Sequence, residues 1–126
     1  MQRSLRRLAF LLLALAAVAH AAALAPAESA RIEYLLGVVE ALHDAQFIRN
    51  GSSYGSDKAV SHLRLKLRAA GTRVQTAEDF IRYCATASSM SGKPYEIRFR
   101  DGRTVAAADF LREKLAQFDA THVPIR

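Results

Sequence analysis

The chain has 126 residues, a formal net charge of +6, 51% hydrophobic residues and a single cysteine. One small domain is the expectation at this length, an internal disulfide is excluded, and stability has to come from a hydrophobic core. The positive balance falls short of the strong basic stripe of a dedicated nucleic-acid binder.

Residues 1–23 read as a secretory signal peptide. Arg3, Arg6 and Arg7 form a basic start, "LAFLLLALAAVA" follows without a charge, and small residues come next. Ala19-His20-Ala21 and Ala21-Ala22-Ala23 both fit the small-residue cleavage rule. The apolar run is shorter than the ~20 residues that a bilayer span needs. A domain over residues 24–126, exported to the periplasm and without a membrane span after cleavage, is therefore expected. Loss of the three leader arginines leaves a charge of only +3.

Ile32, Leu35, Leu36, Val39 and Leu42 recur at helical spacing and predict a first helix over residues 27–43, with Pro26 and Glu28 suited to its start. Phe47-Ile48-Arg49 reads as a short extended piece. Asn50-Gly51 is a turn, because both residues accept positive φ at low cost. Ser56 is the expected N-cap of a second helix, whose inner stripe is Ala59, Val60, Leu63, Leu67 and Ala70 and which ends at Gly71. Thr76 and Asp79 suggest a capping box for a third helix, with Ala77, Phe80, Ile81, Cys84 and Ala85 facing inward. "TASSMSGKP" breaks the pattern. Tyr95, Ile97 and Phe99 then alternate with Glu96, Arg98 and Arg100 as a half-buried strand, Asp101-Gly102 turns, and Thr104-Val105 begins the return. A last helix is expected over residues 107–119, followed by a loose tail. The fold class is α+β, predominantly α: about four helices with one short β-hairpin in a single small domain.

Strong chemical motifs are missing. No phosphate loop, His-Glu-x-x-His or paired-cysteine pattern occurs, and His43, His62 and His122 have no neighbouring His or Cys in the chain. A zinc site needs three or four converging ligands, so no metal and no cofactor is expected. Cys84 lies on an apolar stripe and reads as a small core hydrophobe rather than a nucleophile. His62 lies at the edge of the second helix's inner stripe, with Lys58 and Lys66 one turn away on either side. Arg49 and Lys93 sit in loops, where binding residues concentrate. Arg49 offers a planar fork for a carboxylate or phosphate. Asn50, Ser89, Ser91 and Tyr95 could orient a ligand beside it.

"FIRNGSSY", "AVSHLRLKL", "TAEDFI" and "ASSMSGKPY" together resemble a YfeK-like family of small secreted proteobacterial proteins, a domain of unknown function. The resemblance covers residues 47–99 and, more loosely, the first helix and the leader. It implies a periplasmic setting and brings no known activity, cofactor or partner. The matching positions are Phe47, Arg49, Asn50, Gly51, His62, Leu63, Lys66, Leu67, Thr76, Ala77, Glu78, Phe80, Ile81, Ser89, Gly92, Lys93, Pro94 and Tyr95. Ala85-Thr86-Ala87 and Met90 depart from the family pattern, which weakens the serine cluster as a reaction centre.

The leading reading is a non-enzymatic periplasmic binding domain, meeting an envelope protein or an anionic envelope component through Arg49, His62, Lys66 and Lys93. The alternative is a small hydrolase or transferase with His62 as base and Ser89 or Ser91 as nucleophile. A purely architectural reading uses Asn50, Thr76 and Ser89 as turn and cap residues and pairs Arg49 with Glu78 or Asp79.

Overall fold

A computed structural model describes residues 23–122. The segment read as a signal peptide, apart from Ala23, and the last four residues lie outside that range. Helix α1 spans Pro26–Ala41, strand β1 Gln46–Arg49, strand β2 Ser52–Tyr54 and helix α2 Ser56–Ala70. After a single 3-10 turn come helix α3 (Ala77–Cys84), strands β3 (Glu96–Arg98) and β4 (Thr104–Ala106), and helix α4 (Ala107–Thr121). The protein is a mostly helical α+β domain, as its periodicities predict.

The four strands form one antiparallel sheet in the order β2-β1-β3-β4. It contains two hairpins rather than the single one expected. The first turns at Asn50-Gly51, where both residues have positive φ (52° and 78°), and pairs Phe47 with Tyr54 and Arg49 with Ser52. The second pairs Ile97 with Val105. The hairpins join through β1 and β3, with Phe47 opposite Ile97.

Helix ends follow local chemistry. Thr76 and Asp79 form the expected capping box: Thr76 Oγ1 accepts from the Asp79 amide at 3.0 Å, and Asp79 Oδ2 accepts from the Thr76 amide at 3.2 Å. Gly71, at φ +55°, ends α2 as expected. Ser56 is not the cap of α2. Gly55 holds that position in an extended conformation, and Ser56 is the first helical residue, buried, with its hydroxyl on Asp57 at 3.3 Å. The chain enters the helix one residue earlier than the serine suggests, because the short β2 strand runs straight into it.

The main core lies among the four helices. Ile32, Leu35, Leu36 and Val39 of α1 meet Leu63 of α2, Phe80 and Ile81 of α3, and Leu111 and Leu115 of α4. Phe80, Ile81 and Leu35 are completely buried, and burial of each such side chain contributes about 1.5–3 kcal/mol. Tyr95, Ile97, Ala45 and Ala107 make a second cluster between the sheet and the start of α4, with Phe47, Val105 and Phe110 packed against it. Cys84 is fully buried as expected, and burial pushes its thiol pKa up. Among the described residues no helix is long and apolar enough to cross a membrane.

A polar network ties the helices together at one end. Glu28 of α1 accepts from the Ala77 amide at the start of α3 at 2.7 Å and also pairs with Arg31 at 2.9 Å. Arg31 reaches across to Asp119 near the end of α4 at 2.8 Å. The Glu28 carboxylate thus satisfies a backbone donor that a helix start leaves without an intrahelical partner.

Candidate functional site

The site is built where the end of β1, one face of α2 and the segment entering β3 converge. Arg49 Nη1 donates to His62 Nδ1 at 3.0 Å. Arginine has no acceptor, and Nη1 lies nearer to Nδ1 than to Nε2 (3.4 Å), which assigns Nδ1 as the accepting nitrogen and the ring proton to Nε2. Nε2 lies 3.2 Å from the Tyr95 hydroxyl and donates to it. Lys66 Nζ donates to the same hydroxyl at 3.1 Å and to the Ala87 carbonyl at 3.2 Å. The Tyr95 oxygen therefore accepts from two donors, and its own O–H is free to donate outward. The four side chains come from three segments and form one hydrogen-bonded row: Arg49, His62, Tyr95, Lys66.

Stacking holds the row in place. The His62 and Tyr95 rings meet edge to face with centroids 5.8 Å apart. Lys66 lies 5.0 Å from the centre of the Tyr95 ring, and the Arg49 guanidinium lies 5.4 Å from that of Tyr54. Burial, then Arg49, then Lys66 push the His62 pKa below its ordinary value, so the imidazole is held neutral. Arg49 and, after it, Ser52 hold the Tyr54 phenol below its usual range.

Beside this row the Asn50 turn meets the Ser-Gly-Lys-Pro loop. Asn50 Nδ2 donates to Ser88 Oγ at 3.2 Å, and the Ser91 hydroxyl donates to Asn50 Oδ1. The loop is itself an ordered bend. Ser88 N donates to the Lys93 carbonyl at 3.0 Å, Gly92 N to the Ser88 carbonyl at 2.8 Å, and Gly92 takes φ +71°. Ala87 and Pro94 form a bridge across its base. Lys66 fastens that base to α2 through the Ala87 carbonyl.

Of the eight residues singled out in the sequence, Arg49, His62, Lys66 and Tyr95 share one row, and Asn50 and Ser91 share the adjoining one. Lys93 contributes backbone bonds, and its side chain is exposed. Ser89 is exposed and belongs to neither row. Two pairings that the alternative readings of the sequence required do not form. The His62 ring nitrogens engage Arg49 and Tyr95, not Ser89 or Ser91, and the Ser91 hydroxyl engages Asn50. Arg49 pairs with neither Glu78 nor Asp79: Asp79 caps its own helix, and Glu78 faces Arg112 at 3.9 Å. Among the described residues, none of the ion pairs uses Arg49, Lys58, Lys66 or Lys93.

Sequence reasoning missed three members. Ser88, not Ser89, is the buried serine that anchors the loop. Tyr54 lies under Arg49, and its place opposite Phe47 in the unforeseen hairpin is what brings it there. A cavity of about 360 Å³ also opens beside the row, between α2 and the sheet. Arg49, Tyr54, Lys58, His62, Leu65 and Glu96 are among its lining residues, together with the core side chains Val39, Ile97 and Leu111.

Comparison with known proteins agrees with the resemblance seen in the motifs. The uncharacterized protein YfeK of Salmonella typhimurium is 47% identical over 68 residues, which cover 54% of this chain and 57% of that relative. The match thus spans little more than half of the relative's length. No solved structure matches the chain. The model of a family described as a family of unknown function, DUF5329, matches residues 26–119. That match runs from the first residue of α1 into the last turns of α4 and takes in the whole sheet and both polar rows, so the chain belongs to the DUF5329 family.

Proposed function

We propose that the protein is a non-enzymatic domain, exported to the periplasm, that binds an anionic partner at the Arg49–His62–Tyr95–Lys66 row. One observation carries the reading: Arg49, Lys58 and Lys66 stand at or beside the mouth of a cavity, and no ion pair among the described residues neutralises them. Elsewhere on the surface Arg31, Arg64, Arg100, Arg103 and Arg112 are each matched by an acid, and among the described residues Arg68, Arg73, Arg82, Arg98 and Lys114 are unpaired as well; what sets Arg49, Lys58 and Lys66 apart is their convergence on the cavity. Arg49 and Lys66, fixed by hydrogen bonds and left without a counter-charge, present with Lys58 a preformed site for a carboxylate, a phosphate or an acidic protein segment. Lys93, exposed on the loop tied to Asn50, extends the positive edge. The basic leader with its apolar run supports export.

The test is purification of the wild-type protein and of an Arg49→Gln/Lys66→Met double variant from cells that express the full chain, with mass spectrometry of the proteins and small anions that accompany each. The wild type should carry an anionic component that the double variant has lost. Identical complements would overturn the binding reading. Cell fractionation tests the setting, and an unprocessed chain in the cytosol would remove it.

A further inference from the structure

We infer that the cavity beside the polar row receives the hydrocarbon chain of a single-chain amphiphile whose carboxylate head is held by Arg49 and Lys58. The inference rests on the anion-binding reading above and gives the ligand its chemical class.

The walls are the first argument. Val39, Leu63, Ile97 and Leu111 line the cavity from within, and each also belongs to the buried core. A polar ligand would leave its own donors and acceptors without partners against such walls, at a cost that an alkyl chain avoids. The volume is the second. About 360 Å³ falls at the small end of ligand sites, which run upward from roughly 300 Å³. A methylene is close in size to a water, and at the roughly 30 Å³ that a water takes up, the cavity holds on the order of a dozen non-hydrogen atoms. That suits one medium-length chain and excludes a two-chain lipid.

The mouth is the third argument. Arg49 and Lys58 line it against a single carboxylate, Glu96, and His62 is held neutral. His62 takes up Arg49 through Nη1, and the guanidinium donors that neither His62 nor the Tyr54 phenol engages remain available for a planar acceptor. Charge at the opening and hydrocarbon within describe an amphiphile with an anionic end. The free O–H of Tyr95, which also lines the cavity, can donate to the same head.

Calorimetric titration of the purified protein with decanoate, hexanoate and decanol tests this. Decanoate has the required dozen heavy atoms, hexanoate has the same head with four methylenes fewer, and decanol has the chain without the charge. Decanoate should bind, hexanoate about a hundredfold more weakly, and decanol about tenfold more weakly. Arg49→Gln should weaken decanoate about tenfold, and Ala59→Phe, which adds a ring to the cavity wall, should weaken it by at least as much. In the unaltered protein the terminal methyl of decanoate should show nuclear Overhauser contacts to the methyls of Val39 and Leu111. This second measurement decides the matter even if Ala59→Phe fails to fold. Equal affinities for hexanoate and decanoate, absence of those contacts, or no binding of decanoate would each overturn the amphiphile. If Arg49→Gln still weakened both carboxylates in the first of these cases, anion binding would stand alone. If it weakened neither, both readings would fall.

Discussion

Arg49 and His62, 13 residues apart in the chain, meet at 3.0 Å with the guanidinium as donor and Nδ1 as acceptor. An imidazolium cannot accept at that atom, so the contact exists only while His62 is neutral.

Stability should therefore fall on acidification. Burial, Arg49 and Lys66 set the folded pKa of His62 below its ordinary 6.5. Above the unfolded value both states are neutral and the contribution is fully present. As pH falls below it, the unfolded chain takes up a proton before the folded one, and the contribution is lost progressively down through the folded pKa. Urea midpoints measured between about pH 7 and pH 5 should decline, and His62→Gln should flatten that part of the decline. An unchanged slope in the variant would mean that His62 is not the group responsible.

Asn50 serves the turn twice, through its backbone at φ 52° and through its side chain on Ser88 and Ser91. Asn50→Ala loses both and should cost about 2–3 kcal/mol, from roughly 1–2 for the left-handed backbone and about 1 for the lost hydrogen bonds. Asn50→Gly keeps the backbone preference and should cost only about 1 kcal/mol. Urea unfolding separates the two. If both variants are equally stable, the backbone at position 50 carries no such preference.

Glu28 holds the start of α3 from α1. Glu28→Gln keeps an acceptor but removes the charge shared with Arg31 and the Ala77 amide, and should cost about 1–2 kcal/mol. Thr76→Ala, which removes the side-chain cap at the same helix end, should cost about 1 kcal/mol. The two groups serve the Ala77 and Asp79 amides of one helix start, so the double variant should depart from additivity. Thermal or urea unfolding of the three variants measures the coupling.

Cys84 is fully buried with its pKa raised by that burial. The thiol should resist alkylation by iodoacetamide in the folded protein and react at once in denaturant. Fast native-state labelling would contradict the packing of α3.

The helices were legible in the sequence because Ile32-Leu35-Leu36-Val39 and Phe80-Ile81-Cys84 repeat at a spacing that allows only one buried face. The capping box of α3 was legible for the same local reason. Strand β2 was not: Ser52 and Ser53 are exposed, carry no apolar alternation and hold their place through backbone pairing to β1. The polar row was half legible. Arg49, His62, Lys66 and Tyr95 could each be singled out as residue types in suggestive places. That the Tyr95 hydroxyl stands between His62 and Lys66 depends on β3 lying beside β1, which no local pattern encodes. The cavity was hidden altogether, because a void is set by how side chains from distant segments fail to fill space.

The pairing of β1 with β3 also has a kinetic consequence. Each hairpin closes through a short turn, but the bond between them, Phe47 opposite Ile97, forms only after α2 and α3 have been looped out. Chain-closure entropy has to be overcome before that contact gives anything back. The union of the hairpins is thus a high-contact-order event of folding, alongside the docking of α4 on α1, and in a nascent polypeptide it must wait until β3 has emerged.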